Sequence, residues 1–370
     1  MDTISKARIL GDSGKYDVCG GEICKPPEFT GGLQNLPGII KARSENGHFC
    51  SLLKTLQTNS CKYDCKYCAN RADGCQKKLA SFEPHELAGL FNVLVQKRIV
   101  TGLFLSSGVA GDANSTTEKM LQTVRLVRHK YHFSGYIHFK VLPGTSYELI
   151  KQASELSSRL SINVEAPGKS RLNELSSVKD FKSDILQRQL WISRMKLRSG
   201  HTTQIIAGAG EETDLEIIKM AKWEYEHMKL KRCYYSSFSP VKGTPLENKE
   251  KVPVNRSNHL YNVDWLLRVY KYNVSSIKNI LIDDMLPDKD PKLAIAEETL
   301  TDPVDVNDAS HDELLRVPGI GLKTAEQIMQ MREQKKLDLK SLQECRVIMK
   351  RASPFIRVNG EFQRRLSCYP

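Results

Sequence analysis

The chain has 370 residues, long enough for one large domain of roughly 250 residues and a smaller one, and it contains no low-complexity segment. Its opening lacks the apolar run of a secretory signal, and no later stretch reaches the roughly 18 apolar residues that span a bilayer, so a cytoplasmic protein with no membrane segment is expected. Ten cysteines would stay reduced there, and a formal charge of +12 favours an anionic partner over a merely soluble basic surface, nucleic acid ahead of a membrane because no basic amphipathic anchor helix stands out.

From Gly11 to Gly47 the sequence is rich in Gly and Pro, as in "KPPEFTGGLQNLPG", and residues 1–50 are expected to form an irregular N-terminal extension. Short β-rich runs then alternate with amphipathic segments. "SLLKTLQT" (Ser51 to Thr58) reads as a strand leading into a cysteine loop. "EPHELAGLFNVLVQKR" follows as a helix, with Pro84 near its start and Leu87, Leu90, Phe91, Leu94 and Val95 on one face. Further strands are expected at Gly102 to Ser107, Tyr136 to Leu142, Leu160 to Glu165, Thr202 to Gly208 and Arg232 to Phe238. Helices near Glu118 to Lys130, Tyr147 to Ser157, Asp180 to Lys196 and Asp214 to Lys229 separate them. Alternation of this kind predicts an α/β fold with a parallel sheet, either open and doubly wound or curled into a full or partial barrel. In both, ligands gather at the carboxyl ends of the strands, where the cysteine loop and the tails "SSG", "EAPG" and "SPVKG" fall. The core domain is expected over residues 51–300, and a compact, wholly helical tail over 301–370. From Lys336 onward the tail is basic, through Lys340, Arg346, Lys350, Arg351, Arg357, Arg364 and Arg365.

The loop "NSCKYDCKYCAN" carries Cys61, Cys65 and Cys68. Three buried structural thiols fit poorly with the polar neighbours Lys62, Asp64, Lys66 and Asn70. A structural zinc needs a fourth ligand, which Cys75 would supply, but zinc sites use paired knuckles and this spacing makes a poor pair. A [4Fe–4S] cluster is the third reading. Thiolates normally hold all four of its irons, so three would leave one open, as in metals that do chemistry.

Cys61-x3-Cys65-x-Tyr67-Cys68, directly after the first strand of a βα repeat, resembles the signature of the radical SAM superfamily, with an aromatic residue just before the last cysteine. The resemblance implies a partial (β/α)6 barrel. It also implies that S-adenosylmethionine chelates the open iron, is cleaved reductively, and yields a 5′-deoxyadenosyl radical that abstracts hydrogen from substrate, with ferredoxin or flavodoxin as electron donor. By the same resemblance Ser106, Ser107 and Gly108 in "LSSGVAGD" would bind the methionine end, with glycine allowing close backbone approach. Asn163 and Glu165, two apart on one side of a strand, would face the ribose or amino group. Gln204 and the "SPVKGTPL" turn would line the adenine pocket, and Lys140 and Arg188 would meet the carboxylate. Cys75 and Cys233 are candidate hydrogen donors to a product radical, though each also reads as a small buried hydrophobe. Cys19, Cys24 and Cys50 are candidates for an auxiliary metal.

In the tail, "LLRVPGIGLKTAEQIMQMR" resembles the helix-hairpin-helix motif of DNA-binding proteins: a capping box at Ser310 and Glu313, the hairpin Pro318-Gly319-Ile320-Gly321, then a helix turning Ala325 and Ile328 inward. Backbone N–H groups at that helix start would dock a phosphate, assisted by Lys323 and Thr324, without reading a base. "LKSLQECRVIMKRASPFI" is expected to form a degenerate partner unit. Across most of its length, including "KARILGDSGKYDVC", the chain resembles radical SAM proteins assigned to DNA modification or repair, which implies a uracil-DNA-glycosylase-like partner. The expected function is therefore radical modification or repair of a nucleotide in DNA. The alternatives are the same chemistry on RNA, most plausibly tRNA, and a non-catalytic zinc-containing nucleic-acid adaptor.

Overall fold

The computed structural model describes residues 1–14, 32–43, 49–74 and 78–362, so the expectations placed on Cys19, Cys24, Cys75, Arg364 and Arg365 lie outside the described residues. The chain divides into two compact units. One comprises Met1–Glu212 and Lys219–Ser257, and the other Thr213–Ile218 and Asn258–Pro370, so the second unit starts upstream of residue 301.

The first unit holds a seven-stranded sheet in the spatial order β1 (Ile39–Arg43), β2 (Phe49–Leu56), β3 (Gly102–Ser106), β4 (Tyr136–Lys140), β5 (Arg159–Ser161), β6 (His201–Ala207) and β7 (Arg232–Ser237). β1 runs antiparallel to β2, and β2 to β7 are parallel. Helices α1 (Thr3–Ser13), α2 (Pro84–Gln96), α3 (Ala113–Arg125), α4 (Tyr147–Leu156), α5 (Lys169–Leu175), α6 (Gln187–Ser193) and α7 (Asp214–His227) precede or connect the strands. Each parallel strand pairs with the next in sequence. Right-handed crossovers then put every connecting helix on the same face, and the sheet curls about the other face as a partial (β/α)6 barrel with β1 and β7 as its outermost strands among the described residues. A doubly wound sheet would need a reversal of strand order, which is absent here.

The strands are short apolar runs because burial on both faces selects them; all five residues of β3 are buried. The concave face is polar in part. Phe104, His138, Lys140, Ser161, Asn163, Gln204 and Tyr234 surround a small void there, and the His138 ring bonds the Ser161 hydroxyl at 2.7 Å. Burial holds His138 well below the usual histidine range, with Arg159 and Lys140 adding to the effect, so it is neutral at pH 7.

Three expectations need correction. The opening is not wholly irregular: Asp2 caps α1 by accepting from the N–H groups of Ile4 and Ser5 at 3.0 Å each, and β1 adds an antiparallel edge strand. The strand expected to reach Glu165 ends at Ser161, because Glu165 takes φ 62° and joins β6 only through an isolated bridge to Ile205. The tail is mainly helical but not wholly so.

In the second unit, beyond α8 (Val254–Arg268), lie α9 (Val274–Lys278), α10 (Pro291–Thr299), α11 (His311–Arg316), α12 (Leu322–Arg332), α13 (Leu339–Glu344) and α14 (Met349–Ala352). A three-stranded sheet of β8 (Val304–Asp305), β9 (Ile356–Val358) and β10 (Glu361–Phe362) accompanies them. Leu314, Val317, Ile320, Ala325, Ile328, Leu337 and Leu342 form the unit's core. Strands of two or three residues carry too little alternation to announce themselves.

Glu224 of α7 is 0% exposed, and among the described residues only the Gln189 side chain of α6 approaches its carboxyl, without reaching full hydrogen-bonding distance. Burial pushes its carboxyl up to about 8, and Gln189 of α6 offsets only part of that. The folded chain then keeps a proton that the unfolded chain releases near the ordinary value of 4.5. Stability therefore falls as pH rises between those values, with a slope approaching about 1.4 kcal/mol per pH unit inside the window. Urea unfolding at pH 5.5 and 7.5 (about two units apart) is expected to show this fall in the natural chain and to show it reduced in Glu224→Gln.

Candidate active site and candidate nucleic-acid interface

The cysteine loop leaves the carboxyl end of β2 and is tied on two sides. Towards the next βα loop, the Lys62 N–H donates to the Val109 carbonyl at 2.9 Å, and Gly108 donates to Thr58 at 2.8 Å. A Cβ on Gly108 would run into the Ser60 carbonyl and crowd the Cβ of Cys61 at 3.1 Å. The close approach this glycine permits is thus to the cysteine loop itself. Towards α5, Lys66 donates to the Leu175 carbonyl at 2.8 Å. The Asp64 carboxylate there accepts from the Ser176 hydroxyl at 2.6 Å and the Ser177 N–H at 2.9 Å. Burial works against the charge on Asp64, but these bonds outweigh it and hold the carboxyl down to about 2.

Within the loop, Cys65 is buried and Cys61 and Cys68 are half-buried. Backbone N–H groups point at two of the sulfurs, Tyr63 to Cys61 and Asn70 to Cys68, each at 3.4 Å. Burial pushes the Cys68 thiol up to about 12, and the neighbouring Cys65 and Cys61 add to that, so without a metal this sulfur keeps its proton. Such a trio invites a metal that would take the protons' place. Among the described residues no three His, Cys, Asp or Glu side chains gather closely enough for one ion. An iron–sulfur cluster asks for something different, one thiolate per iron spread around a larger body. With donated N–H groups and a buried cation beside it, the trio fits such a cluster.

That cation is Lys179, 7% exposed, a residue the sequence did not single out. Its ammonium lies 3.6 Å from Glu165 and donates to the Tyr67 hydroxyl at 3.4 Å, with the rings of Tyr63 and Tyr67 at 6.0 and 5.9 Å. Burial disfavours its charge, yet Cys65 and Glu165 more than offset this and hold its pKa above the ordinary lysine value. Burial, followed by Glu165 and Cys65, raises Tyr67, which keeps its proton. Asn163 donates to Glu165 at 3.4 Å, so this expected pair does come together, although beyond the strand rather than on it.

The remaining expected residues divide. Ser106 is buried at the end of β3, and Ser107 donates to Thr58 at 3.5 Å, beside the cysteine loop. Gln204 and Lys140 line the concave face. Arg188 does not reach out for a carboxylate: its guanidinium donates to the Thr145 carbonyl at 2.8 Å and to Gly144 at 2.9 Å, bracing a loop. Cys233 is 0% exposed and pairs in register with Thr203, whose hydroxyl is bonded by Gln189 of α6. Tyr234 and Gln204, one residue along, face the interior, so pleat alternation turns Cys233 towards the helices and away from any substrate there. Cys50 bonds the Thr101 hydroxyl at 3.1 Å at the opposite end of the strands.

In the second unit, α11 opens with the expected capping box, Ser310 and Glu313 exchanging bonds. Pro318 and Ile320 are buried, the latter 1% exposed, which leaves the hairpin's outer surface to backbone and to the exposed Lys323. Gly319 has φ 88°, and a Cβ there would stand 2.7 Å from the Ile348 carbonyl, while the Ile348 N–H donates to Gly319 at 3.1 Å. Gly321 caps α12 without a side chain, and Thr324 lies in the first turn, so no cap side chain takes up the N–H groups of that turn. Lys292 of α10 donates to the Ile320 carbonyl at 2.6 Å and sits 4.7 Å from the Tyr270 ring, fixing the hairpin from behind. Shortly after α13, Arg346 takes φ 59° as Gly319 takes φ 88° shortly after α11, and Lys350 and Ala352 follow Arg346 at the spacing at which Lys323 and Ala325 follow Gly319.

Residues 301–347 match the family model described as the helix-hairpin-helix motif. No curated protein matches the chain. Among solved structures, methylornithine synthase (PylB) aligns over 57% of this chain and 60% of its own, at 14% identity and a TM-score of 0.48. The FeFe-hydrogenase maturase HydG from Carboxydothermus hydrogenoformans aligns over 56% and 48%, at 13% identity and 0.45. Coproporphyrinogen III oxidase (HemN) from Escherichia coli, described as a radical SAM enzyme, aligns over 63% and 55%, at 15% identity and 0.39. The chain thus spans 60% of PylB and about half of HydG. The chemistry of the cysteine loop rests on its own residues.

Removing one partner of the buried Lys179–Glu165 pair strands the other. Lys179→Met is expected to cost about 3 kcal/mol in thermal or urea unfolding, and adding Glu165→Gln is expected to recover part of that loss in a double-mutant cycle.

Proposed function

We propose that the chain is a radical SAM enzyme that acts on a nucleotide in nucleic acid, with DNA favoured over RNA. The observation that carries this reading is the three-cysteine loop at the carboxyl end of the parallel strands, in a chain that also holds a helix-hairpin-helix motif. Cys61, Cys65 and Cys68 would hold a [4Fe–4S] cluster, with the N–H groups of Tyr63 and Asn70 and the Lys179 ammonium balancing thiolate charge. When bound, cluster and S-adenosylmethionine supply reductive carbon–sulfur cleavage and hydrogen abstraction. Ser106, Ser107 and Gly108, beside the cysteine loop, would bind the methionine end of the cosubstrate, Asn163 and Glu165 its ribose or amino group and Gln204 its adenine, with Tyr67 next to the last cluster cysteine. The polar concave face, with neutral His138 and Lys140, orients a substrate rather than holding an apolar one.

The hairpin Pro318-Gly319-Ile320-Gly321, with Lys323 and Thr324, would dock a phosphate and position the nucleic acid without reading sequence. A base inside a duplex is out of reach of a side-chain cavity, so the target is a flipped or single-stranded nucleotide. A ferredoxin or flavodoxin would supply the electron, and a uracil-DNA-glycosylase-like protein is the partner that the sequence resemblance implies. DNA or RNA deuterated in sugar and base, offered to anaerobically reconstituted protein, is expected to transfer label into 5′-deoxyadenosine from DNA. Label from RNA alone would move the substrate class. Stoichiometric zinc with no cleavage of S-adenosylmethionine would leave a binding adaptor.

A further inference from the structure

The amino ends of the strands, opposite the cysteine loop, carry a charge pattern that the reading above does not use. The segments entering β3, β4, β5, β6 and β7 are Lys97–Thr101, Tyr131–Gly135, Ser157–Ser158, Arg194–Gly200 and Met228–Lys231, and none contains Asp or Glu. Lys97, Arg98, Lys130, His132, Arg194, Lys196, Arg198 and Lys229 are all exposed there or one residue away. The strands that follow pair in sequence, Gly102 with Tyr136, His138 with Arg159, Leu160 with His201 and Thr202 with Arg232, so these segments lie side by side along one rim. At about 4.8 Å per strand, β3 to β7 carry that rim over roughly 19 Å.

The helix dipole favours a cation at each helix end and accounts for about one per helix. It does not account for Lys196 and Arg198, which stand in the loop beyond α6, or for the backbone at three of these turns. Arg98, His132 and Lys229 have φ 56°, 53° and 52°, positions after helix ends where glycine costs least. The turn at Arg98 is closed by Ile99 donating to Leu94 at 2.9 Å and Arg98 to Val95 at 2.9 Å. Basic side chains occupy these left-handed positions despite a strain of roughly 1 kcal/mol each.

A cavity of about 540 Å³ opens into the same rim, between the end of α2 and the segments entering β3 and β4. Phe91, Tyr131 and Phe133 give it aromatic walls, and Arg98 and His132 stand among its lining. Phe91 and Phe133 meet edge to face at 4.9 Å, and the Lys130 ammonium lies 5.5 Å from the Tyr131 ring. On the neighbouring strand Phe49, 71% exposed, stands three residues before Leu52, which pairs with Gly102 at the start of β3. Cations alone fit any polyanion, but cations interleaved with accessible aromatic rings fit a polyanion that carries flat bases.

We propose that this rim is a second nucleic-acid contact: a single strand lies across the loops entering β3 to β7, its phosphates on Lys196, Arg198, Lys229 and Arg98, with one base against Tyr131 and Phe133 in the cavity. The proposal rests on the nucleic-acid reading above and adds a face to it. It gives the chain a hold on sequence flanking the reacting nucleotide, independent of the hairpin.

Binding of the full-length chain to a fluorescent single-stranded oligodeoxynucleotide of about 20 nucleotides, across a salt series, tests it. Lys196→Glu/Arg198→Glu/Lys229→Glu is expected to weaken binding at least about ten-fold and to lower the salt slope by about two, while Lys323→Glu in the hairpin weakens it separately. The milder Lys196→Gln/Arg198→Gln/Lys229→Gln is expected to move in the same direction with an unchanged melting temperature. An oligonucleotide carrying 5-iodouracil is expected to cross-link at Tyr131. Unchanged affinity and slope in both rim variants, with loss only in the hairpin variant, overturns the proposal and leaves the function reading standing. No binding of any oligonucleotide by the natural chain sinks both. Rim-dependent binding to phosphatidylserine vesicles but not to the oligonucleotide assigns the face to a membrane and likewise overturns it.

Discussion

The cysteine loop is pinned from both sides by backbone and carboxylate hydrogen bonds. Its own thiols supply no rigidity, and the restraint comes from two flanks. Gly108 lets one βα loop press against the backbone of Ser60 and Cys61, and Asp64 is gripped by Ser176 and Ser177 at the end of α5. Three sulfurs are thereby held together at the end of the sheet where parallel strands expose their last residues. The ordering of the strands is what makes the second flank available. Because β5 lies three strands from β2, the curl of the sheet is needed to bring the segment after α5 back to the loop after β2. A doubly wound sheet would have no reason to bring those two segments together.

Charge is arranged by the same topology. At the carboxyl ends, the cation nearest the sulfurs is buried and paired: Lys179 sits between Glu165, Tyr67 and Cys65, where its charge serves the site's interior. At the amino ends the cations are exposed and carry no carboxylates among them in the entering loops.

Much of the first unit was legible. The runs "GLFLSS" and "TTQIIAG" announce buried parallel strands, and "SLLKTLQT" announces the strand whose carboxyl end carries the three cysteines. What escaped notice depends on long-range partners. Asp64 meets Ser176 across 112 positions, and Lys179 meets Tyr67 across 112 as well, so neither leaves a local pattern. The alternation in "RCYYSSF" shows two faces without saying which is inner, and Cys233 fell on the outer one. "LSINVE" continues its apolar alternation past the point where Glu165 turns left-handed, which overextended β5. α1 leaves little trace in the sequence because only Ala7 and Leu10, with Gly11, are buried in it, too few positions to mark a helical stripe. The hairpin was legible because its glycines are needed for backbone reasons: only a residue without a side chain fits at Gly319 beneath Ile348.

The central claim is that Cys61, Cys65 and Cys68 leave one iron without a protein ligand. Electron–nuclear double resonance on the reduced, air-excluded chain, with S-adenosylmethionine labelled at its amino nitrogen, tests this most directly. The account predicts about four iron atoms per chain and a hyperfine coupling from that nitrogen. A metal centre with four protein ligands, or a cluster whose spectrum ignores the labelled molecule, would contradict it.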